Sequence, residues 1–338
     1  VWLQKEFGPF QLRELLGRGE MSVTFRAFDP QRGIEVALKI LRPPAAALPP
    51  DVAAFVAAVR RLQAVGHPRC ARVYAVGVEE SHPYVAMEYL PGPSLAGRLA
   101  AERRLSEVET LDIGCQAAEA LGAAHEAGLP HRDFQPRRIR FAADGSVRVT
   151  GFAESIFLDC ASMDVGIIRG RLSYVAPERL CGLLEDVRSE IFTLGATLFE
   201  TLTGQKPHEG EPHGEILRDL HVTETLRIET LGHTLHPATA AVLNRMLNVD
   251  LGDRPQSWRE AATALRTARI AIPDAPPLPP SARPLPVPHR KAMVAALAAL
   301  VILVGILSWT HWRQTRVAQT PEQAQVPPLV EERIPLRP

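Results

Sequence analysis

The sequence predicts an α+β fold in two unequal lobes, a small strand-rich one followed by a larger helical one. Short β-rich runs, VTFRAFD and EVALKIL, come early and are split by Gly and Asp. Helical patterns come later, as in LDIGCQAAEALGAAHEAG, where Leu111, Cys115, Ala118 and Leu121 recur at three- and four-residue steps. The chain of 338 residues is also long enough to bury a substantial core. The globular part is expected over residues 7–267.

Composition narrows the function classes. Lys+Arg and Asp+Glu both number 38, so no clustered basic excess points to a nucleic-acid partner. Cys70, Cys115, Cys160 and Cys181 lie far apart without a CxxC pair, which favours reduced thiols over zinc or a disulfide framework. The N-terminal residues carry no basic-plus-apolar signal segment.

Beyond the globular part the composition changes sharply. Residues 272–289, IPDAPPLPPSARPLPVPH, hold eight prolines, a density that blocks helix and sheet and favours a semi-rigid linker. A ligand for an SH3-type domain is the alternative reading of that stretch. Residues 292–309, AMVAALAALVILVGILSW, contain no charge, and eighteen residues of helix reach roughly 27 Å, close to the hydrocarbon thickness of a bilayer. Trp309 and Trp312 stand where indoles favour the membrane interface. One transmembrane helix is expected there. Arg283, Arg290 and Lys291 before it outnumber Arg313 and Arg316 after it, which orients the globular part toward the cytoplasm. Residues 310–338 carry five prolines and mixed charge without periodicity, the pattern of a short disordered tail.

The chemistry-bearing residues fall within residues 7–267. LLGRGEMSVTFRAFD contains Gly17, Gly19, Ser22 and Thr24 between two strand-like runs, and Val36-Ala37-Leu38-Lys39 follows. Glycines in a hairpin let its backbone lie close over phosphates, and a lysine on the next strand supplies a point charge to them. Glu20, at the hairpin tip, would bring an unhelpful negative charge unless it faces solvent. Farther on come GHPRCARVYAVG, MEYLPGPSL, His131-Arg132-Asp133, Ala176-Pro177-Glu178, DVRSEIFTLGATLFETLTGQKP and Asp253-Arg254-Pro255.

In this order, those motifs make the chain resemble a eukaryotic-type Ser/Thr protein kinase domain, of the kind bacteria attach to a membrane span. The resemblance covers Phe7 to Thr267 and implies a bilobal protein-kinase-like fold. It implies ATP as cofactor, held by Gly17, Gly19, Thr24 and Lys39, with Asp133 in the position of the catalytic base. It also implies that Glu178 and Arg254 tie the activation segment to the helical lobe, and that Glu190 keeps an acceptor in the DxxSD-like segment.

Four positions depart from the family pattern. Ala58 stands where a glutamate should hold Lys39, and Gln135 replaces the lysine that steadies the transferring phosphate. Arg138 replaces a metal-binding asparagine, and a guanidinium has no acceptor atom with which to coordinate a cation. Gly151, in Gly151-Phe152-Ala153, replaces the aspartate that should bind magnesium, leaving Glu154 as the nearby acidic residue. Magnesium is therefore expected to be absent or handled atypically, with no protein metal ligands assigned.

These departures point to a degenerate member, a membrane-anchored pseudokinase that acts on protein partners in signalling. Arg138 would itself offset phosphate charge, allowing ATP to bind without a metal. The alternatives are a working Ser/Thr protein kinase with unusual metal handling, and a structural membrane protein that binds no nucleotide.

Overall fold

The computed structural model describes residues 6–19, 21–43, 47–160, 172–180, 183, 185–207 and 235–273, all within one unit from Val1 to Pro277. The expected transmembrane helix at 292–309, the tail at 310–338, nearly all of the proline-rich linker and Glu20 lie outside the described residues. Among the described residues, no helix is long and apolar enough to cross a membrane.

The first lobe is an antiparallel sheet of six strands: β1 (Glu6–Phe7), β2 (Phe10–Arg18), β3 (Ser22–Asp29), β4 (Ile34–Leu41), β5 (Val73–Glu79) and β6 (His82–Glu88). Their spatial order is β1-β2-β3-β4-β6-β5. The two-residue period of a strand sorts β3 into a buried set, Val23, Phe25 and Ala27, and a set facing the other way. The buried set joins Phe7, Phe10, Val36, Leu38 and Ile40 in a small core, with Tyr84 meeting Phe7 and Phe10 edge-on at 5.7 and 5.6 Å. On the other face, Gly17 pairs with Thr24, Thr24 with Lys39 and Lys39 with Val85. Register alone thus sets Gly17, Thr24 and Lys39 in one row across three strands.

Helix α1 (Pro49–Val65) crosses behind this sheet. Prolines in its first turn forgo donors that no helical carbonyl would accept, and the Asp51 carboxylate takes the Leu48 N–H at 2.7 Å. Phe55, Ala58, Val59 and Leu62 recur at helical spacing and are all buried. Phe55 meets Phe157 of the second lobe with ring centroids 5.0 Å apart. One large core therefore runs from α1 into the helical lobe.

That lobe contains α2 (Leu95–Glu102), α3 (Glu107–Glu126), a 3-10 turn (Pro136–Arg138), the two-stranded sheet β7 (Ile139–Phe141) and β8 (Val147–Val149), α4 (Ser155–Cys160), α5 (Pro177–Leu180), α6 (Val187–Thr203), α7 (Pro237–Met246) and α8 (Trp258–Ala271). Ser94, Ser106, Asp186 and Ser257 cap α2, α3, α6 and α8 by accepting a first-turn N–H. The expected tie is present: Arg254 donates to both carboxylate oxygens of Glu178, at 2.8 and 3.0 Å, and is wholly buried. The observed architecture is the bilobal α+β arrangement expected from the sequence.

Candidate functional site

A cleft of about 340 Å³ separates the sheet from the helical lobe. Gly17, Gly19, Thr24 and Lys39, the four residues that the resemblance assigns to ATP, all line it. A methyl group at Gly17 would meet nothing within 4 Å, so the packing of the free protein leaves room above this glycine. Leu16, Ala37, Leu41 and Met87 are among its apolar lining, and Arg137, Arg138, Arg140, Gly151 and Glu154 close it from the helical lobe.

Asp133 does not line the cleft; it lies buried beneath Arg138. The chain before it is held by Glu190, whose Oε1 accepts from the backbone N–H groups of His131 and Arg132. The retained carboxylate at 190 thus does what the resemblance implies. His131 Nε2 donates to the Thr150 carbonyl, 3.0 Å away, and its ring packs against Phe152 at 4.8 Å. Burial, reinforced by Arg138, keeps that imidazole below its ordinary pKa. Phe152 is buried here.

Both oxygens of Asp133 are engaged. Gln135 Nε2 donates to Oδ1 at 2.8 Å, and Arg138 donates to Oδ2 from Nε at 3.0 Å and also from Nη2. Arg137 adds a longer contact to Oδ2 at 3.5 Å. A carboxylate acting as base must be within hydrogen-bond reach of the proton it takes. Here the two replaced residues of the loop, Gln135 and Arg138, are the groups that occupy it.

Arg138 continues upward to Glu154, donating from Nη1 to Oε2 at 2.8 Å, and Lys39 Nζ sits 2.5 Å from Oε1 of the same carboxylate. Lys39 therefore has a carboxylate partner despite Ala58. It comes from the turn before α4, 115 residues away in sequence, rather than from α1. Burial opposes the charge on Glu154, yet Arg138 and Lys39 together hold its carboxyl down at about 2. For Lys39 the balance goes the other way. Burial outweighs its attraction to Glu154, which it shares with Arg138, and its pKa falls below the ordinary lysine value.

Gly151 explains how the arginine fits. Its φ is +88°, a conformation that costs a residue with a Cβ, and an added Cβ would stand 2.7 Å from Arg138 Cζ and 2.9 Å from Cδ. Two departures from the family pattern are therefore one substitution in space. The guanidinium lies where a side chain at 151 would begin.

A magnesium ion finds little to hold it. Mg²⁺ requires near-octahedral oxygen ligands and commonly one or two carboxylates. Gly151 offers none, Arg138 brings positive charge, and Asp133 and Glu154 are each committed to cations. Among the described residues no group of three or more His, Cys, Asp or Glu side chains is placed to bind a metal. The donor set does not fit the ion. Cys70 and Cys115 stay outside this chemistry: burial pushes their thiols up to about 12 and about 11.

Arg140 escaped the sequence reading. It lines the cleft, and its Nη2 donates to the Leu90 carbonyl at 2.5 Å. RRIR carried no signal for it, since Arg138 ends the 3-10 turn and Arg140 lies in a strand of three residues.

Residues 10–266 match the protein kinase domain family. The chain is 26% identical to the serine/threonine-protein kinase PknB of Mycolicibacterium smegmatis, over 96% of this chain and 57% of that protein. It is 31% identical to a probable serine/threonine-protein kinase of Streptomyces coelicolor, SCO3848, over 60% of this chain and 31% of that protein. It thus spans less than two thirds of the length of these curated relatives. Among solved structures, the PknI kinase domain of Mycobacterium tuberculosis superposes with a TM-score of 0.63 at 25% identity, covering 78% of this chain and 97% of that one. With the motif order, the bilobal fold and a family match over most of its length, the chain belongs to the protein kinase domain family, and the relatives it resembles are bacterial serine/threonine-protein kinases.

Proposed function

We propose that this protein is a pseudokinase: a kinase-fold binding module whose cleft takes a nucleotide without magnesium and does not transfer its phosphate. Family membership implies ATP binding, normally with magnesium. The observation that carries the proposal is the Arg138 guanidinium, lodged against Gly151 and bonded to Asp133 and Glu154. It supplies a fixed positive charge beside Lys39, where phosphate oxygens would be received, and covers the carboxylate that would serve as base. Phosphoryl transfer depends on positioning and charge neutralisation. Losing one preorganised electrostatic contact in an enzyme costs roughly 10²–10³ in rate. Ala58, Gln135, Arg138 and Gly151 alter one catalytic unit together, so these losses do not simply multiply. Two of them already leave little turnover.

Within this proposal, residues 292–309 anchor the chain in the cell membrane as a single pass, with the kinase-like domain in the cytoplasm acting on partner proteins by shape. Its support is the uncharged run and the flanking basic residues.

One observation favours a second reading, a working kinase with atypical metal handling: Lys39 keeps a carboxylate partner through Glu154. Radiolabelled ATP with the purified full chain and a generic protein acceptor, under magnesium or manganese, separates the two. The pseudokinase predicts no incorporation above that of Asp133→Asn, together with a thermal shift by ATP in EDTA. Incorporation that Asp133→Asn abolishes would establish the enzyme instead.

A further inference from the structure

A second cavity, of about 710 Å³, lies where the end of α1 meets the edge strand β5, and it shares only Glu88 with the lining of the cleft. Three arginines line it, Arg32, Arg72 and Arg148, against one carboxylate, Glu88. Each arginine is held in place by the fold. Arg32 pairs with the buried Asp29 at 2.9 Å, and its Nη2 donates to the Tyr74 carbonyl at 3.1 Å. Arg148 Nη1 donates to Ser146 Oγ at 2.7 Å and to the Val147 carbonyl at 3.1 Å. The Arg72 guanidinium lies 5.8 Å from the centre of the Tyr74 ring, and among the described residues it has no carboxylate partner and no hydrogen bond.

The charges do not cancel. Asp29 offsets Arg32, and Glu88 offsets Arg148 at 3.4 Å while accepting from the Arg72 backbone N–H at 3.3 Å. Arg72 is left as a full positive charge. His67 also lines the cavity, but burial draws its pKa down and favours the neutral ring. The C-terminal end of α1, at Gly66, brings about half a negative charge, less than one arginine supplies.

We infer that this cavity docks an acidic segment of a partner protein, an extended stretch carrying two or more Asp or Glu side chains. A guanidinium offers paired donors in a fixed plane, the arrangement a carboxylate accepts with both oxygens. Arg32 and Arg148 use only some of their five donors on the fold, so they too have N–H groups to give. The volume lies within the range of about 300–1,000 Å³ typical of sites that enclose a sizeable ligand. A chain with several carboxylates therefore matches it better than one small anion does, and its concavity suits a protruding segment better than a flat lipid surface. This site stands whether or not the cleft takes a nucleotide.

The test is equilibrium titration of the purified full chain with a labelled hexaglutamate peptide, with hexaglutamine as the uncharged control. Hexaglutamate should bind and hexaglutamine should not. Arg72→Gln should weaken binding roughly five-fold, with the melting temperature unchanged because the side chain makes no hydrogen bond. Arg72→Lys keeps the charge but loses the fork, and should also weaken binding, which maintains the test if the glutamine variant melts early. Arg13→Gln removes an equal charge from an exposed site on β2 outside both cavities and should leave binding as it was. Absence of hexaglutamate binding overturns the inference. So does binding that neither Arg72 substitution alters, or a loss matched by Arg13→Gln, since either would put the peptide elsewhere. Displacement of the peptide by inorganic phosphate at the same concentration of charge would make this a small-anion site and overturn the assignment to an acidic segment.

Discussion

Two buried arginines, Arg254 and Arg138, are each bonded to carboxylate, and they serve opposite ends. Arg254 grips Glu178 with both arms, receives support from the carbonyls of Asn248 and Arg188, and covers the Phe192 ring at 4.8 Å. Every one of its partners belongs to the helical scaffold. Arg138 bridges Asp133 and Glu154, and through Glu154 reaches Lys39 in the sheet. Its partners are the groups a nucleotide would address. The family's structural ion pair has been kept, while the carboxylate at the catalytic-base position is engaged in an internal salt bridge. Retention of the first shows that the fold is still maintained. The second is the ground for the proposed loss of phosphoryl transfer.

The largest effect should come from breaking the structural pair. Removing one member of a buried ion pair leaves the other charged and unsatisfied, at about 3–5 kcal/mol. Arg254→Met should lower the unfolding free energy by that amount in a urea titration. A loss below about 1 kcal/mol, the range of an exposed pair, would remove the contrast drawn here.

The reaction-centre network is tested through pH. Glu154 titrates near 2 in the fold against an ordinary value of 4.5, so its contribution is complete above the ordinary value and disappears as pH falls toward 2. That shift corresponds to on the order of 3 kcal/mol. Glu154→Gln should therefore be less stable than the parent at pH 6 by about that amount, and the two curves should converge between pH 4.5 and 2. Parallel curves across that window would show that Glu154 is not held ionised by Lys39 and Arg138.

How far the sequence revealed this depends on the range of each interaction. The row of Gly17, Thr24 and Lys39 was legible because adjacent strands with a two-residue period bring such residues together. The lobes and the Glu178–Arg254 tie were legible from ordered motifs. The Lys39–Glu154 contact was not, since it joins residues 115 positions apart and depends on the turn that follows Gly151. The sequence showed that a carboxylate was missing at Ala58 and that Glu154 was near the old metal position. Only the folded geometry assigns Glu154 to the lysine. Arg140 was overlooked because its meaning depends on which side of β7 faces the cleft, and a three-residue strand shows no period by itself.

The pairing of Gly151 with Arg138 gives an intermediate effect and a direct check on the replacement. Gly151→Asp alone places a Cβ against the guanidinium in a positive-φ conformation, a strain of about 1–3 kcal/mol. Adding Arg138→Asn removes the clashing group, so the double variant should recover part of that loss, with a coupling of about 0.5–3 kcal/mol by double-mutant cycle. The double variant also supplies a carboxylate and a carboxamide at the two emptied ligand positions. Magnesium should therefore raise its melting temperature in the presence of ATP while leaving the parent unchanged. Additive losses and no magnesium response would separate the two positions.

The smallest change in stability is expected at Gly17, where the same substitution distinguishes a structural glycine from a ligand-facing one. An added methyl meets nothing within 4 Å, so Gly17→Ala should alter the unfolding free energy by less than about 0.5 kcal/mol. A nucleotide held under the hairpin would be touched by that methyl, because Gly17 lines the cleft one pair away from Thr24 and two from Lys39. Nucleotide affinity in EDTA should therefore fall while the melting temperature of the free protein stays put. A fall in both would make Gly17 a requirement of the β2–β3 hairpin. A fall in neither would mean that phosphates do not pass beneath it, leaving Arg138 as an ion-pair partner with no ligand to receive.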